Sequence, residues 1–264
     1  MGVLNVTPDS FSDGGRFNQV ESAIARAREM ASEGAAIIDV GGESTRPGAQ
    51  PVSEQEELDR VILVIERIHR QTDVLISVDT MKPAVMRAAV KAGAELINDV
   101  KALRAPGALD AARESGAAVC LMHMQGEPRT MQKSPAYVNV VKEVMDFLAQ
   151  RLRACEAAGI PGEQLVLDPG FGFGKSLEHN LGLLGNLESL TALGCPLMVG
   201  LSRKSMFQQL LNLPAEQRLH AGLAAAALAV FQGASIIRTH DVKPTVETIK
   251  TAAAVRAALH RGAQ

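Results

Sequence analysis

The hydrophobic pattern along the chain repeats one unit: an amphipathic stretch, a glycine, a short apolar run and then polar residues. Short apolar runs, such as residues 36–40, are typical of parallel strands that are buried on both faces. Glycine commonly follows a helix because it adopts the left-handed conformation without a Cβ clash. The glycines in these positions are Gly34, Gly93, Gly116, Gly159, Gly194 and Gly233. The pattern therefore predicts alternating helices and strands.

Two of the predicted helices have a clear apolar face at helical spacing. In the second helix this face consists of Leu58, Val61, Ile62, Ile65 and Ile68, after a capping box predicted from Ser53 and Glu56. In the fifth helix it consists of Val141, Met145, Leu148, Leu152 and Cys155, and Gly159 with Pro161 ends the helix. Both helices are therefore predicted to pack one face against the core.

Eight strands are predicted, each followed by a helical segment. They cover residues 3–6, 36–41, 74–78, 95–98, 118–122, 164–168, 197–201 and 235–238. Eight such units, without a linker or a break in composition, predict a single α/β domain over residues 1–264 with the (β/α)8 TIM-barrel fold. An open doubly wound sheet is the structural alternative, but no G-x-G-x-x-G motif follows the first strand.

The composition narrows the class of protein. Hydrophobic residues make up 47% of the chain and aromatic residues 3%, which predicts an aliphatic core. The formal net charge is −2, so neither nucleic acid nor an anionic membrane is expected as the main partner. No apolar run approaches the ~20 residues of a membrane span. The three dispersed cysteines, Cys120, Cys155 and Cys195, indicate a reduced, cytoplasmic protein.

Three strand-to-helix connections are long, at residues 7–18, 42–52 and 125–135. Long loops in a compact barrel are usually functional, and barrel enzymes place their active sites at the carboxyl ends of the strands. The polar residues predicted at that rim are Asn5, Asp79, Asn98, Asp99, His123, Asp168, Ser202, Lys204, Arg238 and His240. Several have a structural alternative: Asp79 as a helix cap, Asn98 and Asp99 as hydrogen bonders of the barrel mouth, and His123 as a core histidine.

The rim residues together indicate a composite ligand. Two carboxylates and an amide can pair with the guanidine-like edge of a purine or pterin ring. Arg238, His240 and Asn5 follow adjacent strands and predict an anion or metal–anion subsite, because barrels often bind phosphate near strands seven and eight. Apolar walls would come from Phe11, Pro47 and Phe173. We therefore expect a planar heterocycle, a phosphate or pyrophosphate and an aromatic cosubstrate.

Long motifs carry a resemblance to a known family. Residues 4–15 (LNVTPDSFSDGG), 41–48 (GGESTRPG), 168–175 (DPGFGFGK) and 202–205 (SRKS) resemble the signatures of the dihydropteroate synthases, in family order. The resemblance covers essentially the whole chain. It implies a cytoplasmic, homodimeric transferase of folate biosynthesis that joins 6-hydroxymethyl-7,8-dihydropterin pyrophosphate to p-aminobenzoate and releases pyrophosphate. The implied cofactor is Mg²⁺, and the implied mechanism is dissociative, through a pterin carbocation.

The resemblance also implies residue roles. The pterin would be bound by Asp79, Asn98, Met122, Asp168, Phe173, Lys204 and Arg238. Pyrophosphate would be bound by Asn5, Thr45, Arg238 and His240, with Asn5 as the magnesium ligand. The p-aminobenzoate site would be framed by Phe11, Thr45, Arg46, Pro47, Phe173, Ser202 and Lys204. The implied catalytic residues are Asp79, Lys204, Arg238 and His240.

Three alternatives to the synthase function can be weighed from the sequence. A methyltetrahydrofolate-dependent methyltransferase barrel would also bind a pterin, but it needs neither the Thr45-Arg46-Pro47 motif nor a pyrophosphate site. A Schiff-base aldolase is disfavoured because Lys204 lies in a polar Ser-Arg-Lys run. A binding module without catalysis is the third alternative. The sequence also begins close to strand one, where family members carry a short additional segment, so we expect the barrel bottom to be less completely closed.

Overall fold

The eight predicted strands are present in the computed structural model, which describes residues 1–7, 16–44, 49–127 and 130–261. They are β1 (Gly2–Asn5), β2 (Ile37–Gly41), β3 (Leu75–Asp79), β4 (Leu96–Asp99), β5 (Ala118–Met122), β6 (Leu165–Asp168), β7 (Met198–Gly200) and β8 (Ile236–Arg238). Each lies within one residue of its predicted bounds. Among the helices of the described residues, none is long and apolar enough to cross a membrane.

The strand order is that of a (β/α)8 barrel. Strands β1 to β6 form one parallel sheet in sequence order, and β7 pairs with β8 in parallel. Single parallel bridges connect the two sheets, Leu167 to Leu197 at one junction and Gly2 to Thr239 at the other. The TIM-barrel fold is therefore confirmed, although the two junctions carry single bridges where the other strand pairs have full ladders.

Helices surround the strands. They are α1 (Arg16–Ser32), α2 (Glu54–Gln71), α3 (Pro83–Lys91), α4 (Ala108–Ser115), α5 (Val140–Ala157), α6 (Leu177–Gly185), α7 (Leu187–Leu190), α8 (Met206–Leu211), α9 (Leu219–Phe231) and α10 (Val242–Arg261). The predicted loop over residues 7–18 is too long, because α1 already begins at Arg16.

Two helix predictions need local correction. On α5, Val144 is fully buried whereas the predicted Val141 and Met145 are only partly buried, because the face turned to the core is rotated slightly. At the start of α2, the Ser53 side chain accepts a hydrogen bond from the Glu56 backbone N–H, as predicted. The reciprocal half of the capping box does not form, because the Glu56 carboxylate pairs with Arg60 one turn further on.

The barrel interior changes character along the strands. Alternate residues of a strand point into a barrel. One buried apolar group, Leu96, Cys120, Val166 and Met198, contains residues from four successive strands. Two residues further towards the carboxyl ends, the same face carries Asn98 on β4, Met122 on β5 and Asp168 on β6. Arg238 takes the corresponding position on β8. The carboxyl ends of the strands are therefore the polar end of the interior.

Candidate active site

Three buried side chains with acceptor atoms lie at or next to the carboxyl ends of β3, β4 and β6. Asp79 ends β3, Asn98 lies beside it on β4, and Asp168 ends β6. Each is at least nine-tenths buried. The capping alternative for Asp79 is wrong, because α3 begins after Lys82 and the backbone N–H of Lys82 donates to the Thr80 hydroxyl at 3.2 Å. Asp79 is therefore available to other partners.

Arg238 links two carboxylates of the barrel interior. Its Nε donates to Asp39 Oδ2 at 2.6 Å, and its Nη2 donates to Asp79 Oδ2 at 2.8 Å. Asn98 Nδ2 also donates to Asp39 Oδ2, at 3.2 Å. The sequence predicts an anionic ligand as the partner of Arg238. In the structure its anionic partners are protein carboxylates, so Arg238, Asp39, Asp79 and Asn98 form one connected network.

Burial governs the acidity of this network. Burial raises the pKa of Asp79 to about 7, against the opposing effect of the Arg238 guanidinium and with a smaller contribution from Asp39. Burial likewise raises the pKa of Asp168, which Gly170, Lys204 and Arg238 oppose. Such carboxylates gain much from a cationic or donor-rich ligand, because it replaces the water they have lost.

Asp99 has a structural role, as one of the sequence alternatives allowed. Its two oxygens accept backbone N–H groups of Lys101 at 2.7 Å and Leu103 at 2.8 Å. These bonds hold a turn in which Ala102 and Leu103 have positive φ angles. Burial raises the pKa of Asp99 to about 6 despite both hydrogen bonds. We therefore leave Asp99 out of the site.

The loop after β6 is held tightly against β5. Asp168 Oδ1 accepts the Gly170 N–H at 2.7 Å, so the carboxylate also fixes the start of its own loop. Gly170 has a φ of +69° and lies so close to β5 that an added Cβ would be 1.9 Å from the His123 carbonyl oxygen. Glycine is therefore required here for both its backbone conformation and its lack of a side chain.

Lys175, which is not among the predicted site residues, holds the same loop from inside. Its buried ammonium contacts His123 Nδ1 at 2.9 Å and donates to the carbonyls of Gly170 at 2.9 Å and Phe173 at 3.0 Å. Burial lowers the pKa of Lys175 to about 7. His123 is buried and its ring is bonded to Lys175, which confirms the core-histidine interpretation. Burial and the Lys175 charge also lower the pKa of His123 to about 3.

Phe173 and Lys204 meet across the mouth of the barrel. The Lys204 ammonium lies 4.3 Å from the centre of the Phe173 ring, a cation–π contact. Gly172 makes room for this lysine, because an added Cβ would be 3.2 Å from Lys204 Cδ. These two residues were both predicted for the pterin and p-aminobenzoate sites, and the structure brings them together.

His240 and Ser202 also lie together. The Ser202 hydroxyl is 3.1 Å from His240 Nδ1 and accepts the His240 backbone N–H at 3.2 Å. Next to them, Arg203 donates two hydrogen bonds to the Asp241 carboxylate. Asn5 ends β1, and Gly41 at the end of β2 lies between it and Asp79 of β3. A Cβ added to Gly41 would be 3.8 Å from Asn5 Oδ1 and 3.5 Å from Asp79 Cβ. Asn5 and His240, both predicted for the pyrophosphate site, thus lie at the carboxyl ends of the neighbouring strands β1 and β8.

Of the five other predicted residues, the structure describes Met122. Phe11, Thr45, Arg46 and Pro47 lie outside the described residues. Met122 is described and buried, in a small apolar group with Val100, Met124 and Met131 against which Phe173 packs.

The chain matches known proteins along nearly its whole length. The model of the family described as "Pterin binding enzyme" matches residues 1–240. The dihydropteroate synthase of Escherichia coli strain K12 is 55% identical over 258 residues, which are 98% of this chain and 92% of that protein. A solved Yersinia pestis dihydropteroate synthase, in a sulfonamide drug complex, has a TM-score of 0.93 at 54% identity, covering 97% of this chain and 94% of the other.

A second solved structure, the Xanthomonas albilineans dihydropteroate synthase in complex with 7,8-dihydropteroate, has a TM-score of 0.88 at 49% identity. It covers 97% of this chain and 93% of its own. The chain belongs to the pterin-binding enzyme family, and within that family to the dihydropteroate synthases.

Proposed function

We propose that the protein joins 6-hydroxymethyl-7,8-dihydropterin pyrophosphate to p-aminobenzoate, giving 7,8-dihydropteroate and pyrophosphate. The observation that carries the proposal is the buried network of Asp79, Asn98 and Arg238 at the strand ends, with Asp168 on the same rim. Such groups can bind the donor-rich edge of a pterin ring. The relatives named above support the same reaction.

A direct assay tests the reaction. The purified protein is supplied with the pterin pyrophosphate and p-aminobenzoate, and dihydropteroate is measured by chromatography. A parallel arm supplies methyltetrahydrofolate with a corrinoid methyl acceptor, the substrates of the rival barrel enzymes. Product in the first arm and none in the second supports the proposal, whereas methyl transfer without dihydropteroate would reject it.

We propose that the pterin lies over the strand ends, between carboxylates and apolar groups. Asp168 and Asn98 would bind its polar edge, while Asp79 would exchange its bond to Arg238 for a bond to the ring. Phe173 and Met122 border this space on the side of β5 and β6. Lys204, held over Phe173, would contribute a donor to the ring and to the p-aminobenzoate carboxylate.

The pyrophosphate would lie on the side of β8 and β1. Ser202 orients the His240 ring, and Arg238 supplies a guanidinium that Asp39 and Asp79 hold in place. Asn5 fits a Mg²⁺ ion, because its amide oxygen is a suitable hard ligand and Mg²⁺ usually takes few protein ligands together with substrate phosphates and water. When bound, the ion would neutralise charge on the leaving pyrophosphate.

The residues fit a dissociative reaction. Departure of pyrophosphate leaves positive charge on the pterin methylene group, which the Asp79 carboxylate would stabilise. Arg238 and His240 would stabilise the departing anion from the opposite side of the network. The amine of p-aminobenzoate is neutral and nucleophilic at pH 7, so the proposed mechanism requires no general base.

Replacing Asp168 should weaken pterin binding without unfolding the protein. In Asp168→Asn, one acceptor for the ring is lost and the Asn amide is presented instead, so the free energy of pterin binding should weaken by about 1.5–3 kcal/mol. Calorimetric titration with the pterin pyrophosphate measures this. A matched control is Asp110→Asn on the exposed face of α4, which should bind normally. Unchanged binding by Asp168→Asn would remove Asp168 from the pterin site.

We further propose a cytoplasmic homodimer that associates through α9 and α10. These helices pack together and expose four large apolar residues, Leu228, Phe231, Val255 and Leu259. Apolar surface of this kind is typical of homodimer interfaces. The three cysteines are unpaired, which supports a reducing compartment such as the cytoplasm.

A charge placed in this surface should disrupt the dimer. Phe231→Glu would bury a carboxylate between the two copies, so the protein should become largely monomeric at micromolar concentration. Leu63→Glu is the control, because Leu63 is similarly exposed but lies on α2. Sedimentation or light scattering reports the mass. A Phe231→Glu protein that keeps the wild-type dimer mass would place the interface elsewhere.

A further inference from the structure

Asp39 is the single charged residue of β2, in the middle of an otherwise apolar strand. It lies at the centre of β2 (IIDVG) and is fully buried, as are its strand neighbours Ile38 and Val40. A carboxylate in such a place costs free energy unless it is paired and hydrogen-bonded. Its partners are Arg238 Nε at 2.6 Å and Asn98 Nδ2 at 3.2 Å. The chain thus maintains a buried anion directly beneath two residues of the proposed pterin site.

The two carboxylates on Arg238 differ in their access to a ligand. Asp79 ends β3 at the mouth and keeps 10% of its side chain exposed, whereas the side chain of Asp39 has none. Asp39 pairs in register with Ser77, which precedes Asp79 by two residues on β3. Asp39 therefore lies one layer deeper in the barrel than Asp79. A ligand at the mouth can therefore compete with Arg238 for Asp79, but it cannot reach Asp39.

We infer that Asp39 is a positioning residue, which holds the Arg238 guanidinium in its working orientation after the pterin has taken Asp79. The inference rests on the proposed function. Without Asp39, Arg238 would lose its second anchor at the moment when Asp79 turns to the substrate. Its long side chain would then have several rotamers available at the time when the leaving pyrophosphate needs a fixed donor. Asn98, bonded to the same oxygen, would lose its fixed orientation too.

Asp39 should also affect the ionisation of Asp79. The charged groups that act on Asp79 are Arg238 from β8, Asp39 from β2, Glu57 from α2 and Asp99 from β4. After burial and Arg238, the charge of Asp39 is the next contribution, and it raises the pKa of Asp79. Neutralising Asp39 removes this repulsion, so the pKa of Asp79 should fall. Because ionised Asp79 is needed for the reaction, activity should then persist to lower pH.

The first test compares Asp39→Asn with Ser77→Ala. Ser77 is the register partner of Asp39 and equally buried, and its hydroxyl has no hydrogen-bond partner among the described residues. We expect Asp39→Asn to reduce kcat by about tenfold or more and to move the acid limb of the kcat profile to lower pH by about half a unit or more. Ser77→Ala should change neither. A loss of kcat with an unmoved acid limb indicates a merely structural role and overturns the inference.

The second test needs no catalysis and uses thermal unfolding. Arg238→Met leaves the Asp39 charge buried without its main partner, so its Tm should fall by several degrees. Adding Asp39→Asn to Arg238→Met removes that charge, so the double variant should unfold at a higher temperature than Arg238→Met alone. Additive losses in the double variant would show that the two residues are not coupled, which overturns the inference.

The two tests also separate this inference from the proposed function. If the wild-type protein makes no dihydropteroate, the proposed function fails, and the Tm comparison still decides the coupling of Asp39 to Arg238. If the wild type is active and Asp39→Asn matches it in kcat and in pH profile, only the positioning role is overturned. If Asp39→Asn is too unstable to purify, the double variant provides the decisive measurement.

Discussion

Gly170→Ala is expected to be among the most destabilising single-methyl additions in this protein. The added Cβ would lie 1.9 Å from the backbone carbonyl oxygen of His123, a distance that forces backbone movement. The positive φ of +69° adds the ordinary cost of about 1–2 kcal/mol for an L-residue in the left-handed region. With overpacking of about 1–3 kcal/mol, the loss should reach about 2–5 kcal/mol.

Gly116→Ala is a closely matched control. Gly116 has nearly the same φ, +68°, but nothing lies within 4 Å of an added Cβ. It should therefore lose only about 1–2 kcal/mol, from backbone strain. For a chain of this size each kcal/mol lowers Tm by about 2–4 °C, so Gly170→Ala should unfold about 4–20 °C below the wild type. Equal Tm values for the two variants would show that the close approach to His123 does not exist.

The Gly170 substitution should also affect binding. The Gly170 N–H donates to Asp168, and the Gly170 carbonyl accepts from Lys175. Moving this residue therefore displaces both the proposed pterin anchor and the buried lysine that holds the loop. We expect Gly170→Ala, where it is still folded, to bind the pterin pyrophosphate more weakly than Gly116→Ala does.

The fold could be predicted from the sequence because its determinants are local. A glycine such as Gly159 ends a helix, and an apolar run such as residues 165–168 follows as a strand. Eight repeats then leave few topologies. The limits of prediction appear where a local pattern has competing partners. Glu56 satisfies the capping-box rule, yet its carboxylate pairs with Arg60, an equally local choice.

The candidate site was predicted in part, because strand ends can be identified from sequence but partners cannot. Asp79, Asn98, Asp168 and Arg238 were chosen as residues that end strands. Asp39 was missed because it lies in mid-strand, although a single charge in an apolar run was a usable signal. Its partner Arg238 is 199 residues away along the chain, and no sequence pattern specifies that pairing.

Lys175 was missed for a different reason. Its partners include backbone carbonyl oxygens, which every residue carries and which leave no signature in the sequence. A lysine after a glycine-rich loop usually lies in solvent. Only the close approach of the β6 loop to β5, which depends on Gly170, shows that this ammonium is enclosed. A buried cation of this kind is identified from the structure and not from the sequence.

The proposed dissociative mechanism predicts pyrophosphate release in the absence of p-aminobenzoate. If the carbon–oxygen bond breaks before the amine engages, the pterin cation can be captured by water, so the wild type should release pyrophosphate slowly from the ester alone. Asp79→Asn removes the carboxylate next to the developing cation, with little change in shape. It should slow release about 10²-fold, with or without p-aminobenzoate.

The comparison variant must weaken amine binding without touching the pyrophosphate side. Ser202, predicted for the p-aminobenzoate site, is unsuitable because its hydroxyl is bonded to His240. Arg46→Ala is the better choice, because the proposed contact of Arg46 is with p-aminobenzoate alone. It should raise the KM for p-aminobenzoate about tenfold while leaving amine-free release unchanged.

The pattern across the three proteins separates the two mechanisms. Pyrophosphate release is measured for the wild type, Asp79→Asn and Arg46→Ala, each with and without p-aminobenzoate. In a dissociative reaction, Asp79→Asn is slow in both conditions, because the carboxylate acts on bond cleavage itself. Arg46→Ala is then impaired only when the amine is present at low concentration. In a direct displacement the amine participates in cleavage, so no enzyme releases pyrophosphate without it. Absence of release by the wild type over many turnover times would therefore contradict the carbocation route proposed for Asp79.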